Sequence, residues 1–175
     1  MRTATDRYSG GAILLHWLIA ALLIGNIVLA LSMERAPTLF MIHKSIGILV
    51  LLLTLIRIGW RLTHPAPALS AGLAAWERVT ARVTHVAFYI ALLAIPLLGW
   101  AAASTGRRGT GVLFGGIQWF DLPIGRSRAL HELFGEVHEL AVYFTIALIA
   151  LHIAGALKHH FIDRDGEMRR MLPGR

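Results

Sequence analysis

The chain has 175 residues, 56% of them hydrophobic and only 15% charged, with a formal net charge of +7. A soluble domain is normally about a quarter charged, so this composition excludes a two-domain soluble enzyme and points to a single bundle integral to a membrane. No aromatic–basic stripe or nucleic-acid motif accompanies the positive charge, which therefore reads as orientation and lipid contact, with no nucleic acid as partner. There are no cysteines, which removes disulfides, iron–sulfur clusters, blue-copper sites and covalently attached c-type haem. Nine histidines are left as the strong nitrogen ligands.

Residues 1–10 are polar, and Ser9 is placed to cap a following helix. The first apolar stretch runs from about Gly11 to Met33. Its core is too long for a signal peptide and has no convincing cleavage site, so it is expected to be retained. It carries His16, about 9 Å from its middle at the helical rise, next to Trp17, a candidate interface anchor. A short turn, Glu34 to Thr38, makes the second stretch, about Leu39 to Trp60, an antiparallel neighbour of the first. This second stretch holds His43 near one end, with Gly47 one turn further on the same face. Gly47 leaves room for a flat ligand or, as readily, for close approach of another helix. Arg57 and Arg61 follow His43 by 14 and 18 residues, near its face but at the opposite end. They either snorkel to lipid phosphates or pair with carboxylates of a cofactor such as haem propionates.

After a connection containing His64-Pro65-Ala66-Pro67 and a mixed segment around Trp76-Glu77-Arg78, read as an interfacial helix, the third stretch runs from about Val83 to Ala103. It holds His85, Phe88, Tyr89, Pro96 and Gly99, with a kink expected at Pro96. A glycine-rich connection, about Ser104 to Leu130, reads as a cap over one end of the bundle. Its Gly106-Arg-Arg-Gly-Thr-Gly run lacks the lysine–hydroxyl pair of a phosphate loop. The fourth stretch, about Leu133 to Leu157, carries His138 and His152. Fourteen residues are four turns less about 40°, so both rings leave nearly the same face, about 21 Å apart along the axis. His131 lies seven residues before His138, and the His159-His160 pair after the span is interfacial and not assigned as ligand.

Four apolar spans must all be helical, because lipid offers no partner to an open strand. The fold class is an all-α membrane protein, one four-helix transmembrane domain over residues 1–175. The side with both termini carries eleven cations, Arg2, Arg7, Arg57, Arg61, Arg78, Arg82, Lys158, Arg164, Arg169, Arg170 and Arg175. The other carries six, Arg35, Lys44, Arg107, Arg108, Arg126 and Arg128. The positive-inside rule thus places both termini in the cytoplasm.

Depth sorts the histidines into two levels. His43 and His138 lie in the outer half, and His16, His85 and His152 in the inner half. A planar macrocycle with two axial imidazoles needs one histidine from each of two helices at matching depth. His43 with His138 supplies this at the outer level. The inner level offers three candidates for two places, with His16 and His85 an open pairing if spans one and three face each other. Zinc would want three or four ligands converging at one depth, and a histidine-lined metal or proton pathway is the competing use of such residues.

The stretches Leu15-His16-Trp17, Met41-Ile42-His43-Lys44-Ser45-Ile46-Gly47, Val137-His138-Glu139, Leu151-His152, Lys158-His159-His160-Phe161 and Arg170-Met171-Leu172-Pro173 together resemble the prokaryotic cytochrome b561 family. That family is similar to the di-haem cytochrome b subunits of membrane hydrogenases and formate dehydrogenases. The resemblance covers nearly the whole chain and includes the fourteen-residue histidine spacing. It implies two non-covalent haem b groups, the outer on His43 and His138 and the inner on His16 and His152. His85 would then be free to contact a haem edge or a quinone. It further implies one-electron transfer across a bacterial inner membrane, with ubiquinone or menaquinone as partner and a quinone-linked oxidoreductase activity. Superoxide is the donor proposed for some relatives. An anchor subunit of a membrane dehydrogenase or hydrogenase is the alternative within the same resemblance. The electron donor and the oligomeric state, homodimer included, are not fixed by the sequence.

Overall fold

The computed structural model describes residues 7–33, 37–68 and 72–174. The turn at 34–36 and the cations Arg2, Arg35 and Arg175 lie outside the described residues. Four long helices carry the fold: α1 (Gly10–Ala30), α2 (Pro37–Thr63), α3 (Ala75–Thr105) and α4 (Arg128–Leu157). Each is long and apolar enough to cross a membrane.

The helix ends follow local chemistry. Ser9 Oγ accepts the Ala12 N–H at 3.4 Å, and Ser127 Oγ accepts that of Leu130 at 3.4 Å, so both N-termini have a side-chain cap. At the start of α3 the Glu77 carboxylate accepts the Ala74 N–H at 2.9 Å. The Trp76-Glu77-Arg78 segment is therefore the first turn of α3 and not a separate interfacial helix. Its amphipathic composition reflects a transmembrane helix that extends about two turns past its apolar stretch. Helix α4 runs on into a π-helical turn, Lys158–Asp163, closed by Arg164 in the left-handed region at φ 52°.

Helix α1 packs on α2, α2 on α3 and α3 on α4. A small core of Ile19, Val50 and Leu92, flanked by Leu22, Leu23, Ile46 and Leu53, joins the first three. Few residues of α1 or α4 are buried (Ile13 and Ile19; Thr145 and Leu148). Leu14, Ile90, Leu140 and Tyr143 stand outward at 62–70% exposure, an arrangement that needs lipid around it. Helix α4 approaches the backbones of α1 and α2 less closely than it does α3, and it is across these gaps that the histidines face one another.

The connection from α3 to α4 lies over the ends of α2 and α3. Lys44 Nζ donates to the Thr110 carbonyl, and Ser45 Oγ accepts the Phe114 N–H at 2.9 Å. Trp100 Nε1 donates to Phe120 O at 3.0 Å, and Ser104 Oγ accepts the Leu122 N–H at 3.0 Å. This end is called the loop end below, and the other the terminal end. At the terminal end the C-terminal tail folds back on the bundle, with Trp17 Nε1 donating to Met171 O at 2.8 Å and Arg7 to Leu172 O. Trp17→Phe is expected to weaken tail docking by roughly 0.5–1.5 kcal/mol, seen as faster proteolytic removal of the tail with the helices intact.

Candidate functional site

Two histidine pairs face each other across the bundle. His43 on α2 and His138 on α4 have ring centroids 6.2 Å apart with planes at 79°. His16 on α1 and His152 on α4 have centroids 6.3 Å apart with planes at 74°. Helix α4 thus supplies one ring at each level, as its fourteen-residue spacing requires. His85 on α3 also stands by His152, at 5.8 Å and 65°, and Phe88 on the same helix stands 5.3 Å from His152. Thr145, seven residues from either α4 histidine, is buried at mid-level and donates to Ala141 O at 2.8 Å. The buried Thr54 hydroxyl on α2 has no hydrogen-bond partner among the described residues.

The loop-end pair is held by main-chain carbonyls. His138 Nδ1 lies 2.9 Å from Ile95 O, and His43 Nδ1 lies 3.3 Å from Asn26 O. A carbonyl only accepts, so Nδ1 carries the proton in each ring and Nε2 keeps a free lone pair. Gly99 makes the closer bond possible: a Cβ there would lie 3.1 Å from His138 Cε1 and 3.2 Å from Nδ1. At Gly47 a Cβ would meet nothing nearer than Asn26 Nδ2 at 4.0 Å, so tight helix packing does not require that glycine, and the space beside it stays open.

At the terminal end, Arg57 reaches along α1 to Ala12 O at 3.5 Å, one turn before His16. Arg57, Arg61, Ala12, Trp60, His64 and Tyr89 line a pocket there. Trp60 and His64 stack at 4.2 Å, and Trp60 Nε1 donates to Ser9 Oγ at 2.9 Å. Among the described residues, the one group of three His, Asp or Glu with ligand atoms within 4.8 Å of one another is His159, Asp163 and Asp165, outside the apolar spans. The intramembrane histidines therefore do not converge as a three-ligand zinc site would. His131 is occupied too, its Nδ1 donating to Ala102 O at 2.7 Å.

The profile of the prokaryotic cytochrome b561 family matches residues 7–174. The chain belongs to the prokaryotic cytochrome b561 family. It is 34% identical to cytochrome b561 homolog 2 of Escherichia coli, over 95% of this chain and 92% of that one. It is 28% identical to cytochrome b561 homolog 1 of the same organism, over 97% and 99%. A Yersinia pestis protein named probable superoxide oxidase CybB is 30% identical over 95% and 96%.

As a cytochrome b561, the chain is a multi-pass inner-membrane protein of electron transfer, and a cytochrome b family implies haem b. The histidine spacing fits that group. Two imidazoles on one metal, with bonds of about 2.0 Å and about 1.15 Å from each nitrogen to its ring centre, have centroids about 6.3 Å apart. Both cross-bundle pairs stand at this separation, and His85 with His152 falls about 0.5 Å short of it. Sequence reading missed Asn26 and Gly99 as supports of the site. The acceptors at Asn26 and Ile95 are both main-chain carbonyls, which every residue has, so neither side chain signals the contact.

Proposed function

We propose that the chain is a di-haem electron carrier linking a small donor at the loop end to quinone at the terminal end, with both termini cytoplasmic. The observation that carries this reading is the separation of the two cross-bundle pairs, 6.2 and 6.3 Å. His43 and His138 would hold one haem b, and His16 and His152 the other. Bound there, haem supplies reversible one-electron chemistry. The protein fixes the tautomers of the loop-end pair, excludes water with apolar helix faces and presents charge at both ends.

Arg57 and Arg61 border the terminal-end pocket and would receive the haem carboxylates. Quinone would approach on the side of His85 and Tyr89, where His85 stands by the terminal-end pair without sharing its spacing. Superoxide is the donor favoured at the loop end. There the exposed Arg107 and Arg108 have no carboxylate partner among the described residues, whereas Arg126 and Arg128 are paired with Asp121 and Glu132. Free cations on the loop at this end attract a small anion. This makes the protein a quinone-linked oxidoreductase.

The test is the haem-to-protein ratio and reduced-minus-oxidised spectrum of detergent-purified protein, followed by quinone reduction with superoxide. Two low-spin b haems per chain are expected. Haem-free protein that carries protons or metal ions in liposomes would overturn the reading. A ratio near one would mean that one of the two pairs is misassigned.

A further inference from the structure

The two histidine levels differ in what touches their rings, and the difference has a direction. At the loop end both rings give their Nδ1 protons to carbonyls, His138 by the stronger bond at 2.9 Å. Such a bond makes the imidazole more basic, which favours the oxidised iron and lowers its potential. At the terminal end, neither His16 nor His152 has a hydrogen-bond acceptor among the described residues. Instead the partly buried cation Arg57, bonded to Ala12 O at 3.5 Å, stands one helical turn from His16. A fixed cation favours the form with one positive charge fewer, which is the reduced iron, and so raises the potential.

We infer that the His43/His138 haem is the low-potential centre and the His16/His152 haem the high-potential centre, with Gly99 and Arg57 as the residues that set the two apart. The inference rests on the di-haem reading above. Transfer of one electron from the first level to the second oxidises one iron and reduces the other, with no further reactant. The built-in gradient therefore runs from the loop end to the terminal end.

Gly99 acts through His138. A methyl group at that position forces the ring to give by a few tenths of an ångström, because it would stand 3.1–3.2 Å from Cε1 and Nδ1. The Nδ1–H to Ile95 O bond then lengthens, and the ligand becomes less basic. Arg57 acts through space, so its neutral replacement removes the cation without touching either ring.

Optical redox titration of the purified holoprotein tests this, with His43→Ala and His16→Ala used to identify each centre by its loss. The higher of two potentials should survive His43→Ala and the lower should survive His16→Ala. Gly99→Ala should raise only the lower potential. Arg57→Gln should lower only the higher one, and Arg57→Lys should restore it. The reverse assignment of the two potentials, or an Arg57→Gln shift confined to the other centre, would overturn the inference while leaving two haems in place. Retention of both haems by His43→Ala or by His16→Ala would instead overturn the di-haem assignment itself. Should either histidine variant fail to accumulate, the Gly99 and Arg57 shifts decide the matter in protein that keeps every ligand.

Discussion

Replacement of His152 by alanine is expected to reduce haem content from about two per chain to about one, whereas His85→Ala should leave it at two. His152 stands 6.3 Å from His16 and 5.8 Å from His85. The first separation matches the roughly 6.3 Å expected for two imidazoles on one metal, and the second falls about 0.5 Å short of it. His85 comes from α3, which packs more closely on α4 than α1 does. On the proposed reading, His152→Ala would remove one of the two histidines that would hold the terminal-end haem. The pyridine haemochrome ratio to protein measures the loss, and the surviving α-band identifies the loop-end centre. A His85→Ala protein carrying one haem would show that α3, not α1, supplies the partner of His152.

Removal of the Asp121 carboxylate should loosen the loop-end cap, and the effect should depend on pH. Asp121 Oδ1 accepts the Thr110 N–H at 2.6 Å, and Oδ2 pairs with Arg126 at 3.1 Å. Arg126 in turn donates to Gly106 O at 2.7 Å and Arg107 O at 2.9 Å, so one carboxylate ties both halves of the loop. Gly109 adopts φ +65° beside it, and a Cβ there would lie 2.6 Å from Oδ2, so the turn is built around this group. The bond from the Thr110 backbone, then that residue's hydroxyl, and less strongly Arg126 hold the Asp121 pKa below its ordinary value. A depressed carboxyl pKa contributes stability above the unfolded value of about 3.9 and loses it as pH falls through the folded value. Asp121→Asn should therefore melt below wild type at neutral pH, with the gap closing below about pH 4. Thermal unfolding in detergent from pH 3 to 7 checks this. A gap that does not change with pH would mean that the carboxylate charge contributes nothing to the cap.

The cap bears on function through α2. Lys44 and Ser45, which follow His43 directly, are the residues that hold Thr110 and Phe114 of the loop. A loosened cap thus exposes the loop-end pair before it disturbs the terminal-end pair. Haem loss in Asp121→Asn should accordingly begin with the centre that His43→Ala removes.

Length and hydropathy alone determined four membrane-spanning helices, because a bilayer admits no unpaired backbone and every span had to close its own hydrogen bonds. Helical periodicity also determined that His138 and His152 share a face of α4, and depth put His43 level with the first and His16 and His85 level with the second. Periodicity fixes where a side chain points around its own helix but not how that helix is turned towards its neighbours. The sequence therefore left the inner three histidines open, and only the packing of α3 on α4, with α1 further from α4, sets a 6.3 Å separation beside a 5.8 Å one. The supports of the loop-end rings were hidden for a related reason. Asn26 and Ile95 contribute backbone carbonyls, which carry no residue signature, and Gly99 matters only because His138 arrives from another helix. Contacts of this kind exist only once the helices have packed, so tertiary structure alone decided them.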